Sequence, residues 1–154
     1  MNTIRPYDFF LGEDVPAEFR AFNGLISVRL PYSGDSVITS VIKPEYDWSG
    51  DTVKVQVSFR HTIGSDAETM KMRLRLISWP SAETIDEPVE GELAEFVVKP
   101  YSPNPAIISS DEIGVKVPDG YTPDRALTLV VTFDPAQSTT DIMPDIALVK
   151  YRFA

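Results

Sequence analysis

Apolar and polar residues alternate along most of this chain with a period of two, as strands with one buried face require. The stretch TMKMRLRLISWP at 69–80 sets Met70, Met72, Leu74 and Leu76 against Lys71, Arg73 and Arg75. Val53, Val55, Val57 and Phe59 alternate with Lys54, Gln56, Ser58 and Arg60, and Ala94, Phe96 and Val98 with Glu95, Val97 and Lys99. Leu127, Leu129, Val131 and Phe133 repeat the pattern, and Ala147, Val149, Tyr151 and Phe153 close the chain. With 25–30, 36–42 and 113–117, the periodicity predicts about eight strands.

Turn-forming residues separate these runs: PYSGDS at 31–36, WSGD at 48–51, IGSD at 63–66 and PDGYTPD at 118–124. Short, evenly spaced strands with almost no helical periodicity predict an all-β fold, an antiparallel β-sandwich or barrel. About eight strands favour a jelly roll over a seven-stranded immunoglobulin-like sandwich. No repeat of about 20 to 50 residues and no linker divides the chain, so 23–154 is expected to be a single jelly-roll β-sandwich domain.

Two stretches lack the alternation. Residues 1–22 hold Tyr7, Phe9, Phe10, Phe19 and Phe22, with a one-turn helix expected at 16–22. They are expected to form an N-terminal lid over the open end of the sandwich, or an arm reaching into a neighbouring subunit. Because interfaces enrich aromatic residues, Tyr7, Phe9 and Phe10 are candidate interface residues. Residues 81–92 carry Glu83, Asp86, Glu87, Glu90 and Glu92 with no cation and read as a long acidic loop.

Composition narrows the function classes. A chain of 154 residues is long enough to bury one real core. Fourteen Lys and Arg face 23 Asp and Glu, and a net charge of −9 argues against nucleic acid, whose phosphates are bound by cations. Cysteine is absent, which excludes disulfides and thiolate metal sites. No apolar run approaches the ~20 residues that span a bilayer. MNTIRPYDFF lacks the basic and apolar regions of a secretory signal, so a soluble, unprocessed product is expected.

Candidate chemistry is sparse. His61 is the only histidine, and its place at a strand end beside IGSD suits a solvated residue better than a general base. Carboxylates are plentiful, but nothing singles out a catalytic pair. SGDS, SGDT and PDGYTPD offer oxygens to calcium without the dense spacing of an EF-hand loop, and they explain themselves as turns. Tyr46, Trp48, Trp79, Tyr101 and Tyr121 lie near loops, where they would either stack on a sugar or cap the core. No catalytic residue, cofactor or metal is assigned, and the expectation is a protein that is not an enzyme.

Lys71, Arg73 and Arg75 are the strongest positive feature of an acidic chain and are expected on the outer surface of their sheet. Either they pair within the subunit with Glu83, Glu92 or Glu95, or they meet an acidic surface of another molecule. In the second case they join the aromatic candidates as interface residues.

Several motifs resemble one family. VIKPEYDWSG at 41–50 is a strand ending in proline, with an aromatic and an acid just after it, and the valine-alternating VKVQVSF at 53–59 follows directly. DIALVKYRF at 145–153 looks like a closing strand, with the polar STTDIMPD before it. Over roughly residues 22–154 the pattern resembles the jelly-roll domains of tailed-bacteriophage virion proteins. It departs at VTFDPAQSTTD, where the family often carries a longer Arg-Asp stretch. The resemblance implies a capsid decoration or cement protein on the outer surface of the head lattice, made in the host cytoplasm. Its partners would be the major capsid protein and itself, as a homodimer or homotrimer, with no nucleic acid and no membrane. A tail-fibre or receptor-binding jelly-roll module is the alternative, and a carbohydrate-binding module the third. No single functional residue transfers, because decoration proteins work through whole surfaces.

Overall fold

A computed structural model describes residues 1–11, 17–30, 37–45, 47–60, 67–80, 87–138 and 143–154. PYSGDS, His61 with IGSD, Tyr46, Glu83 and Asp86, and the start of the expected helical turn at Pro16 lie outside the described residues. Thirteen strands among the described residues form two antiparallel sheets packed as a β-sandwich.

The first sheet contains β1 (Asn2–Ile4), β3 (Glu18–Phe22), β4 (Leu25–Arg29), β6 (Thr52–Arg60), β10 (Ile107–Ser109), β11 (Ile113–Lys116) and β13 (Asp145–Phe153). The second contains β2 (Phe10–Leu11), β5 (Val37–Ile42), β7 (Met70–Trp79), β8 (Val89–Glu90), β9 (Ala94–Val98) and β12 (Ala126–Asp134). Each of the anticipated strands has its counterpart among β4, β5, β6, β7, β9, β11, β12 and β13.

Pairing among these longer strands is nested. β4 pairs with β13, β5 with β12, β6 with β11 and β7 with β9, so the first half of the chain is matched in reverse by the second. The pairs β6–β13 and β7–β12 join these ribbons side by side within each sheet. The inward phases of the alternation meet between the sheets. Val53, Val55, Val57 and Phe59 of one sheet and Met70, Met72, Leu74, Leu76, Leu127, Leu129 and Val131 of the other are all 0% exposed. At about 25 cal/mol per Å² of apolar area, this face-to-face burial is the main favourable term in folding.

Two expectations are corrected. The described part of 16–22 is strand β3, not a helical turn. It forms a hairpin with β4 through Asn23 and Gly24, whose φ values of 49° and 82° are what a type I′ turn needs. The acidic stretch is not wholly loop, since Val89 and Glu90 pair with Ser78 and Ile77. The closing strand runs from Asp145 to Phe153 as expected, with a change of phase between Ile146 and Leu148 that buries Ile146 as well as Val149.

The N-terminal stretch pairs with the chain's own sheets. β1 lies on β13, β2 on β5 and β3 on β4. A 3-10 turn at Pro6–Asp8 separates β1 from β2, with the Arg5 N–H donating to Asp8 Oδ2 at 2.9 Å.

On the outer side of the first sheet Asp145 ties three strands together. Its carboxylate accepts from Arg29 Nε and Nη2, both at 2.9 Å, and from Arg60 Nη2 at 2.7 Å, and its side chain is only 2% exposed. The hydrogen bond to Asp145 raises the Arg29 pKa further above its ordinary value.

Candidate functional site: the outer face of the second sheet

The inward phase of β7 is core, so Lys71, Arg73 and Arg75 stand on the opposite face. The register places them in rows across the sheet. One row runs Phe10, Thr39, Val130, Arg75, and the next runs Val41, Thr128, Ile77, Glu90. Thr132, Arg73 and Glu95 form a third, and Asp134, Lys71 and Val97 a fourth.

Each cation of the stripe has a carboxylate partner within the chain. Lys71 Nζ lies 3.0 Å from Glu95 Oε2, and Arg73 Nε lies 3.1 Å from Glu95 Oε1. Arg73 Nη2 also bonds Asp134, an acid buried at the end of β12, and Arg75 Nη1 lies 3.1 Å from Glu90 Oε2. The Lys71 hydrogen bond, with the charges of Lys71 and Arg73, holds the Glu95 carboxyl below its ordinary value despite some desolvation. Glu92, which the sequence offered as a partner, sits 3.9 Å from Lys116 instead. Three cations and three acids therefore cancel, leaving a grid that is polar yet locally neutral.

Apolar side chains surround this grid. Phe10 is 65% exposed, Val41 69%, Val97 62%, Leu93 45% and Trp79 44%. A shallow concavity of about 290 Å³ lies over Thr39, Arg73, Arg75, Leu93 and Val130. A wider open groove, bordered by Phe10, Val41, Asp8 and Tyr151, adjoins it past Thr39.

The three aromatic candidates have separated. Phe10 shares the cation face, Phe9 is 5% exposed and belongs to the core, and Tyr7 is exposed elsewhere, with its ring 5.4 Å from that of Phe19. Val41, Val97, Val130 and Ile77 were missed as site residues. Their signal was an apolar residue in the polar phase of an alternating strand.

Trp48, Tyr121, Tyr151 and Phe153 gather at one end of the sandwich. Trp48 packs against Phe153 at 4.9 Å between ring centroids and donates Nε1–H to the Ala154 carbonyl at 3.1 Å. A Cβ on Gly50 would run into that carbonyl, so the corner closes only around glycine. The Trp48 ring and its N–H are thus spent on capping the core. Trp79 differs, lying on the cation face with Nε1–H donating to Thr128 Oγ1 at 2.9 Å.

PDGYTPD folds as turns, with the Tyr121 N–H donating to the Pro118 carbonyl at 3.2 Å and Arg125 N–H to that of Thr122 at 2.9 Å. Among the described residues no group of three or more His, Asp or Glu is placed to hold a metal ion. No helix among them is long and apolar enough to cross a membrane. No family model matches the chain, and no curated protein matches it.

Proposed function

We propose that the chain is a structural protein of a tailed-bacteriophage virion, a capsid decoration protein that docks on the head lattice through the outer face of the second sheet. The nested pairing supports reading the sandwich as a jelly roll. Its longer strands divide into the orders β4-β13-β6-β11 and β5-β12-β7-β9, a two-stranded ribbon rolled on itself. This agrees with the family that the sequence motifs resemble.

One observation carries the reading: Phe10, Val41, Val97, Leu93 and Trp79, each 44% to 69% exposed, ring an ion-pair grid with no uncompensated charge. Interfaces are enriched in aromatic residues and Arg, and this face presents Phe10, Trp79, Arg73 and Arg75 with its charges paired, within a chain of net charge −9. In this role the face works by contact area, and no chemistry is required of it.

Co-sedimentation with heads that lack a decoration protein tests the reading. The wild-type chain is expected to pellet with heads, and the Val41→Glu, Val97→Glu double variant to remain in the supernatant while melting as the wild type does. Binding to purified tails in place of heads would overturn the decoration role.

A further inference from the structure

The hairpin of β3 and β4 leaves an open edge with an unusual charge order. β3 ends the first sheet, and among the described residues no strand pairs with its outer side. In a two-residue hairpin the residues flanking the turn, here Phe22 and Leu25, form a hydrogen-bonded pair, and such pairs alternate along the ladder. Phe22, Arg20 and Glu18 therefore turn their backbone groups toward β4. Phe19 and Ala21 turn theirs outward, as a ready template for another strand.

We propose that this edge pairs with the same edge of a second copy of the chain, antiparallel about a two-fold axis at Phe19, joining two first sheets into one continuous sheet. The register follows from elimination. An axis between residues would set an inward side chain opposite an outward one and bring the core side of one sheet onto the outer side of the other. An axis at Arg20 opposes Arg20 to its own copy, an axis at Glu18 opposes two carboxylates, and an axis at Ala21 sets Arg20 opposite position 22, where no acid stands to meet it. With the axis at Phe19, the outward-facing Phe19 amide and carbonyl exchange both hydrogen bonds with their copies. Glu18 then faces Arg20 of the second copy, and Arg20 faces its Glu18, in the pairs where cross-strand side chains come closest.

The side chains fit this use. Glu18 and Arg20 are 61% and 46% exposed and now satisfy each other only loosely, at 3.5 Å along one strand. On the other side of the ladder Phe19 is 45% exposed and stacks with Tyr7, 65% exposed, so the axis brings two such ring pairs together. A charge on an edge strand normally repels a second copy; here opposite charges two residues apart repel in the registers centred on Glu18 and Arg20 and attract in the one centred on Phe19. The other five-residue edge strand, β9, lacks this freedom. Its Glu95 is already held by Lys71 and Arg73, and β11 of the other sheet packs close to it.

The proposal is independent of what the outer face of the second sheet binds, and light scattering on the full chain tests it without capsids. The wild type is expected to show twice the chain mass at high concentration and to dissociate on dilution. Arg20→Glu and Glu18→Arg, each placing like charges across both symmetric contacts, are expected to weaken the dimer by about tenfold or more. The Glu18→Arg, Arg20→Glu double variant restores opposite charges and is expected to return to within about threefold of the wild type. Thermal melting of each variant establishes that the monomer is folded, with Arg20→Glu the cleaner single change because Glu18 also faces Arg29. A wild type that stays monomeric overturns the proposal. So does a dimer unmoved by either single swap, and so does a double variant that fails to recover.

Discussion

Replacing Asp145 by Asn removes the charge that holds two arginines at one end of the first sheet while keeping nearly the same shape. The carboxylate accepts three hydrogen bonds of 2.7 to 2.9 Å from guanidinium groups, and its side chain is 2% exposed. Losing one partner of a buried ion pair costs about 3 to 5 kcal/mol, most of it the penalty of the charge left behind. Arg29 and Arg60 keep 18% and 19% of their side-chain surface, so each regains some water, and the lower end of about 3 kcal/mol applies. The amide also presents N–H donors to guanidinium donors, which no rotation of the side chain fully relieves. For a chain of this size the loss corresponds to a melting point lower by about 6 to 12 °C. Thermal and urea denaturation followed by far-UV circular dichroism measure it, with the urea slope expected to stay constant because the core is untouched. Because the carboxylate is shielded, raising the salt concentration is expected to leave most of the difference in place. A loss below about 1 kcal/mol would put Asp145 among the screened surface pairs and refute the argument.

Replacing Arg73 and Arg75 together by Gln is expected to cost no more than about 2 kcal/mol, since both pairs are partly solvated, and melting in urea measures it. A larger loss would mean that Asp134, buried at the strand end, depends on Arg73 alone. Glu95 supplies a pH signature: its folded pKa lies below the ordinary 4.5, so its contribution is fully present above that value and is lost as pH falls through the depressed one. Glu95→Gln is therefore expected to flatten the acid limb of melting point against pH, and an unchanged limb would show that the pairing with Lys71 and Arg73 adds nothing to stability.

Much of the fold was legible because the longer strands are buried on one face, and a period of two survives any tertiary arrangement that keeps one side dry. The hairpin at Glu18–Arg29 is legible too. EFRAF and LISVR flank Asn23-Gly24, a strong short-range hairpin signal, but the run of aromatics drew the reading toward a lid or arm. The phase change in β13 was not legible, because Ile146 and Val149 belong to opposite phases and only the packed sandwich puts both inside. Nor was Asp145, whose partners Arg29 and Arg60 are 116 and 85 residues away. At the site the cations stood out, and Glu95 followed from sequence proximity. Asp134 required the register of β12 against β7, which periodicity does not specify.

The nested pairing also explains why the surfaces left for contact are so unlike. Nested pairing gives β6, β7, β12 and β13 a neighbour on each side, so their backbone groups are satisfied within the sheets and the sheet faces become the surface on offer. On the second sheet, that face carries apolar side chains in the outward phase, held flat by a neutral grid of ion pairs. β3 lies outside the nesting, because its only partner is the strand that follows it in the chain. Among the described residues no strand pairs with its outer edge, which carries Glu18 and Arg20. A face suits a partner of different shape, whereas an open strand edge with self-complementary charges suits a second copy of itself. The two surfaces lie on different sheets. A chain that pairs through β3 as proposed would present two apolar faces to a larger surface at once.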